Sequence, residues 1–274
     1  MQFFYSYPIK LIFMKKNIAL LLFCSITSLS IAQKKINYAT VYFEDKTAEC
    51  TNAKINIDDI VCKDDLIKAK VKITNYTDKT IVIKPEECFF TNPTGNLFSH
   101  GKWIIISPRQ KESKVFEAKG NDIRTDSIAF KLNGFYICNA VEVTDTKPMP
   151  LPPAPEISIG NFRLKLDGWN RGGKEVIIKY KVTYVGDKVG MFVPGKVILK
   201  SPEGTECKNK KEEDKTFSFK KNEDFLVEFL FLSDSKKDNT LLWNDAFSES
   251  TPEKADNVSI VLKMDVAKTK DKNK

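Results

Sequence analysis

The stretch Lys147-Pro148-Met149-Pro150-Leu151-Pro152-Pro153-Ala154-Pro155-Glu156 divides the chain into two segments of similar length and similar pattern. Each proline fixes φ and removes a backbone donor, so neither a helix nor an interior strand is expected to pass through it. The stretch (148–156) reads as a semi-rigid, extended spacer between two domains. A chain of 274 residues has room for about two domains, each with its own core.

On both sides of the prolines the pattern is that of strands. Ile67, Ala69, Val71 and Ile73 alternate with Lys68, Lys70, Lys72 and Thr74, the signature of a half-buried strand with a lysine-rich solvent face. Val176, Ile178, Tyr180, Val182 and Tyr184 alternate in the same way. A single ungapped offset carries Lys70, Lys72, Thr74, Asp78, Lys79, Pro85, Pro93 and Gly95 onto Lys179, Lys181, Thr183, Asp187, Lys188, Pro194, Pro202 and Gly204. Identity at turns together with alternation in strands is what two copies of one fold retain. Short strands punctuated by Asn, Gly and Pro turns predict antiparallel β-sandwiches, and no segment shows a helical period. The expectation is all-β: domain 1 over 33–147, domain 2 over 157–266, and a frayed Lys-rich tail over 267–274.

The N-terminus reads as a secretory signal peptide, residues 1–32. Met14-Lys15-Lys16-Asn17 is the positive region, Ile18 to Phe23 the apolar core, and Ser30-Ile31-Ala32 the small-x-small site before Gln33. The pattern starts at Met14, which is taken as the true start of translation. Two alternatives are a signal anchor, although the apolar run is short of the roughly 20 residues a span needs, and a lipoprotein modified at Cys24, where Phe23 occupies a place that calls for a small residue. Cleavage leaves no stable membrane span and implies a periplasmic or extracellular location. It removes Lys10, Lys15 and Lys16 and no acid, so the charge of +8 falls but stays positive. Acids lie close to the basic runs, which argues against nucleic acid as a partner.

The run Val71-x-Ile73-x-Asn75-x-Thr77-Asp78-Lys79-x-Ile81-x-Ile83, followed by Phe89-Phe90-Thr91-Asn92-Pro93-Thr94-Gly95, resembles the immunoglobulin-like sandwiches of uncharacterised bacterial secreted proteins and lipoproteins. Val176 to Gly204 carries a looser version. The resemblance implies a tandem pair of such sandwiches, an exported location and no catalytic residues.

Five cysteines follow residue 32. Cys50, Cys62, Cys88 and Cys138 fall in the first half and permit one or two disulfides with three complete connectivities, whereas Cys207 is left alone. None forms a CxxC, and with His100 as the only histidine no zinc site is expected. His100 beside Ser99 reads as a loop residue, and Asp58, Asp59, Asp64 and Asp65 as turn acids rather than a glycosidase pair or calcium ligands. Gly168-Trp169-Asn170-Arg171-Gly172-Gly173 opens no helix, so it is no phosphate cradle. It reads instead as a hairpin tip where Trp169, Asn170 and Arg171 meet a partner, or where Trp169 folds back over the end of the core. Trp103 and Trp243 are expected in the core. The sequence therefore points to an exported, non-catalytic protein without cofactor or metal that binds a protein or glycan partner at the cell envelope. The alternatives are a structural or assembly component and, more remotely, a carboxylate-dependent hydrolase.

Overall fold

Leu66–Asn75 shows why the chain folds as sheet. Ile67, Ala69, Val71 and Ile73 are buried while Lys68 and Lys70 between them are exposed, the period of two that one wet face imposes. The computed structural model describes residues 38–274 except 140, 212, 214, 236, 237 and 256. The expected signal peptide, the start at Met14 and Cys24 lie outside the described residues.

The first half runs β1 (Val41–Tyr42), β2 (Lys46–Glu49), β3 (Ala53–Cys62), β4 (Leu66–Asn75), β5 (Ile81–Ile83) and β6 (Phe89–Asn92). It continues with β7 (Gly95–Phe98), β8 (Ile104–Ile106), β9 (Lys111–Lys119), β10 (Ser127–Leu132) and β11 (Phe135–Ile137). Then come β12 (Glu142–Val143), β13 (Met149–Pro150), β14 (Glu156–Ile159), β15 (Phe162–Gly172), β16 (Glu175–Tyr184), β17 (Val189–Phe192) and β18 (Ile198–Lys200). The chain closes with β19 (Glu206–Lys208), β20 (Phe217–Phe219), β21 (Asp224–Leu232), β22 (Thr240–Leu242), β23 (Phe247–Ser250), β24 (Glu253–Lys254), β25 (Val258–Lys263) and the short helix α1 (Val266–Lys272). Among the described residues all the strand pairings are antiparallel.

Strand order repeats. One half has the sheets β1-β3-β4-β9 (with β2 on β3), β25-β10-β6-β7 and β24-β11-β5-β8; the other has β14-β15-β16-β21, β13-β22-β18-β19 and β12-β23-β17-β20. The offset seen in the sequence places β4 on β16 and the 3-10 turn Pro85–Glu87 on Pro194–Lys196. Both halves also break register within the equivalent strand pair, between Asp58 and Val61 and between Leu166 and Gly168.

Each half packs its long sheet against the two shorter ones. In the first, Phe116 of β9 meets Phe130 of β10 edge-on at 5.3 Å, and Phe90 of β6 lies 5.0 Å from Phe130. In the second, Phe162 of β15 packs 5.0 Å from Phe247 of β23, which stacks on Phe192 at 4.5 Å beside the buried Trp243. Each such buried ring contributes about 1.5–3 kcal/mol by leaving water. A smaller cluster of Val82, Cys138, Val189 and Met191, with Trp103, Ile105 and Tyr136 against it, joins β5 and β11 to β17. There Thr80 Oγ1 lies 3.0 Å and Ser107 Oγ 3.1 Å from Ser218 Oγ.

Three expectations are corrected. The proline-rich stretch is no free-standing spacer: Met149 and Pro150 pair with Leu241 and Thr240, and Met149 and Leu151 are buried in the second core. Its prolines are tolerated because β13 is the outer strand of its sheet, where Pro150 needs no partner on its far side. The boundary at 266 also fails, since Val258–Lys263 pairs along its whole length with Ser127–Leu132 of the first half. The tail 267–274 is largely helix rather than frayed. Asp265 caps α1 by accepting from Lys268 N at 2.9 Å, buried Thr269 Oγ1 accepts from Tyr42 N at 3.0 Å, and Asn273 bonds Thr40 through both N–H and C=O.

Because strands of each half complete the other, both are expected to unfold in one transition. Leu262→Ala, which empties a fully packed site on β25, should cost about 2–5 kcal/mol and shift far-UV dichroism and Trp243 fluorescence together in urea. Loss of the first half with Trp243 still native would contradict the coupling.

Candidate functional site

Trp169, Asn170 and Arg171 do not sit in a loop. β15 runs straight through them, pairing Trp169 with Ile178, Asn170 with Ile177 and Arg171 with Val176, and turns only at Gly173-Lys174. Gly173 has φ +61°, which a two-residue hairpin requires and which side chains disfavour. Trp169 shares the parity of the buried Ile178, yet β14 covers β15 only as far as Lys165. Its ring is therefore 41% exposed at the open flank of the sheet and does not plug the core. Asn170 is exposed, whereas the Arg171 guanidinium donates to Ser235 O and ties the hairpin to the 233–235 loop. Ser233 N donates to Lys174 O at 2.7 Å and Lys174 pairs with Asp234 at 3.0 Å in the same place. The structure thus presents two of the three residues and employs the third as a pin.

Beside them lies a surface the sequence reading missed. Val227, Phe229 and Phe231 of β21 point inward, so Leu226, Leu230 and Leu232 point out, Leu226 being 58% and Leu232 52% exposed. Across the ladder Ile177 stands opposite both Leu230 and Asn170. Glu228 interrupts the leucines, bound by Lys179 at 3.1 Å and Lys211 at 3.2 Å, whose hydrogen bonds hold its carboxyl below the usual range. The free edge of β21 is blunted at Leu230, whose N–H donates to Asn209 Oδ1 at 2.9 Å and whose C=O accepts from Lys210 N at 2.8 Å.

The first half provides an internal control. By register, Ile177 corresponds to Lys68, and Leu226, Leu230 and Leu232 correspond to Ser113, Glu117 and Lys119. The same architecture stands with charged and small polar residues at these places. The leucine face is not a requirement of the fold.

Ser99 Oγ is buried without a hydrogen bond while His100 is exposed, so they form no dyad. Asp58 and Asp59 both face Lys70, at 3.6 and 4.0 Å, and Asp64 faces Arg124 at 3.2 Å. No group of three or more His, Cys, Asp or Glu could hold a metal among the described residues. A cavity of about 380 Å³ lies against the proline-rich stretch, walled by Met149, Ile157, Ile159 and Trp243 with Asp145 and Lys147 among its charged groups. At the junction of the halves, Lys84 Nζ sits 4.7 Å from the Trp103 ring and 4.1 Å from the Tyr136 ring. Tyr136 donates to Glu87, and burial together with that carboxylate pushes its hydroxyl up to about 12. This cluster clasps the junction and takes Trp103 out of the core, where it was expected. Trp243 is in the core as expected.

The cysteine expectation is corrected too. Cys50, Cys62, Cys88 and Cys138 are free thiols, as is Cys207. Their hosts are different elements, and the sulfurs bond to backbone instead: Cys62 Sγ to Ile123 O and Cys88 Sγ to Lys84 O, both at 3.4 Å. Burial pushes the Cys62, Cys88 and Cys138 thiols up to about 11, 12 and 11.

No family model matches the chain, and no curated protein matches it. Among solved structures, a secreted serine protease, VesC from Vibrio cholerae, aligns over 82% of this chain with 10% identity and a TM-score of 0.19. The chain spans about half the length of that structure, at 51%. A likeness at this level carries neither fold nor activity across. The chemistry of the thiols is testable directly. At neutral pH a thiol reagent should label Cys50 and Cys207 in the folded protein, and Cys62, Cys88 and Cys138 only in denaturant, because a buried group with a raised pKa offers almost no thiolate. Rapid labelling of any of these three in the native state would contradict their burial.

Proposed function

We propose that this is an exported, non-catalytic protein of two immunoglobulin-like β-sandwiches that holds a protein partner at the cell envelope. The contact surface is the outer face of β15, β16 and β21. The observation that carries this reading is the leucine face itself: Leu226, Leu230, Leu232 and Ile177 are outward where the matching half has Ser113, Glu117, Lys119 and Lys68. An apolar face interrupted by the Lys179, Glu228 and Lys211 ion pairs suits a protein surface, since such patches are kept where they are covered in use. A glycan partner is supported by Trp169 and Asn170 on the flank of the same sheet, the one aromatic able to stack on a sugar there. An edge-to-edge assembly role is disfavoured by the blunting of β21 at Leu230.

In a pull-down from envelope extract, the double variant Leu226→Lys and Leu232→Lys should retain partner at least roughly tenfold less than wild type, equivalent to about 1.4 kcal/mol. Its unfolding midpoint should stay within about 0.5 kcal/mol of wild type, as exposed positions allow. Trp169→Ala losing binding while the lysine variant keeps it would move the contact to the glycan reading. Equal retention by all three proteins would sink the assignment of this face.

A further inference from the structure

The repeat of strand order hides an exchange. β11, the last body strand of the first half, leads into β12 and β13, and these pair with β23 and β22 of the second half. β23, the last body strand of the second half, leads into β24 and β25, which pair with β11 and β10 of the first. Each repeat thus gives its final strands to the other. The two crossing segments pair antiparallel at both ends, with Tyr136 opposite Lys254, Ile137 opposite Glu253, Glu142 opposite Glu249 and Val143 opposite Ser248. Equivalent lysines serve the crossing: Lys79 Nζ donates to Asn139 Oδ1 at 2.8 Å and Lys188 Nζ to Glu142 Oε2 at 2.6 Å. Pro252 lies in the second crossing.

We propose that the edge of β10 and β11 is a strand-accepting site for the β24–β25 segment of a second copy of this chain, with the contacts it makes within one chain. The occupant is set by the site. Six residues pair with Ser127–Leu132, Ile260 and Leu262 enter the first core, Met264 bridges to Phe43, and α1 locks onto Thr40 and Tyr42. Exchange between copies would break no contact except at the crossing, because the donor meets the same acceptor whichever chain carries it. That equivalence makes strand exchange a low-cost route to a dimer. Within one chain the tethered donor competes at an effective concentration on the order of mM, so intermolecular exchange grows with chain concentration and with passage through the unfolded state.

The test uses two full-length copies carrying different tags, unfolded together in urea and refolded across a range of concentrations. Species holding both tags should appear after refolding and rise with concentration. A synthetic peptide of residues 256–274, in excess during refolding, should suppress them several-fold by occupying the acceptor edge, and a peptide with I260D and L262D should not. Absence of two-tag species at every concentration overturns the proposal, and so do two-tag species that the wild-type peptide leaves unchanged. The L226K/L232K protein run in parallel separates this outcome from docking through the leucine face, since only the latter would disappear with those leucines.

Discussion

Everything in this fold depends on the six-residue ladder between Val258–Lys263 and Ser127–Leu132. A sheet that ends on an uncovered apolar strand leaves a row of backbone donors and acceptors without partners. Here β10, with Ile128, Phe130 and Leu132 buried, would end so, were β25 not brought back across the chain to pair with it. The second half meets the same constraint with a shorter strand, Met149–Pro150, whose proline is compatible only with an outer position. Mutual covering of edges also ties the halves together, since each sends strands into the sheets of the other.

The junction is finished by an apolar cluster drawn from both halves and by a first-half clasp that Lys254 joins. Val82, Cys138, Val189 and Met191 close a small apolar cluster, and Val82 and Met191 are the same position in the two repeats. Around it Lys84 is held between Trp103 and Tyr136 while Glu87 accepts from Tyr136 and pairs with Lys84 and Lys254. A cation over two rings, with its carboxylate at hand, is worth more than an exposed ion pair because part of its water is already removed. The cluster joins β5, β8, β11 and β24, the strands where the exchange occurs.

Two repeats of one architecture separate what the fold needs from what it carries. Inward positions agree in kind, as Val71, Ile73, Val182 and Tyr180 do. Outward positions do not: the first half has Lys68, Ser113, Glu117 and Lys119 where the second has Ile177, Leu226, Leu230 and Leu232. Packing constrains the inner face tightly, while the outer face is free to diverge toward whatever it meets. The leucine face was hard to read from sequence because Phe225 to Leu232 is apolar at nearly every position and so hides which side is wet. The neighbouring Trp169-Asn170-Arg171 was easy to single out as part of a hairpin, but the turn itself falls beyond it at Gly173-Lys174, because β15 continues through these residues.

By itself the sequence determined that this chain is β, where its longest strands lie and that it repeats. Those follow from alternation and turn chemistry, which are local and survive without knowledge of the partner strand. Strand pairing is not local. Nothing in Val258–Lys263 says whether its partner lies in its own repeat or the other, and nothing in Met149-Pro150-Leu151 says that two alternating apolar residues outweigh the prolines around them. Only the tertiary structure decided these points, since the free energy of covering an apolar edge depends on which edge is within reach once both halves have formed. The same holds for the cysteines, whose number permitted bridges but which the folded chain keeps as thiols.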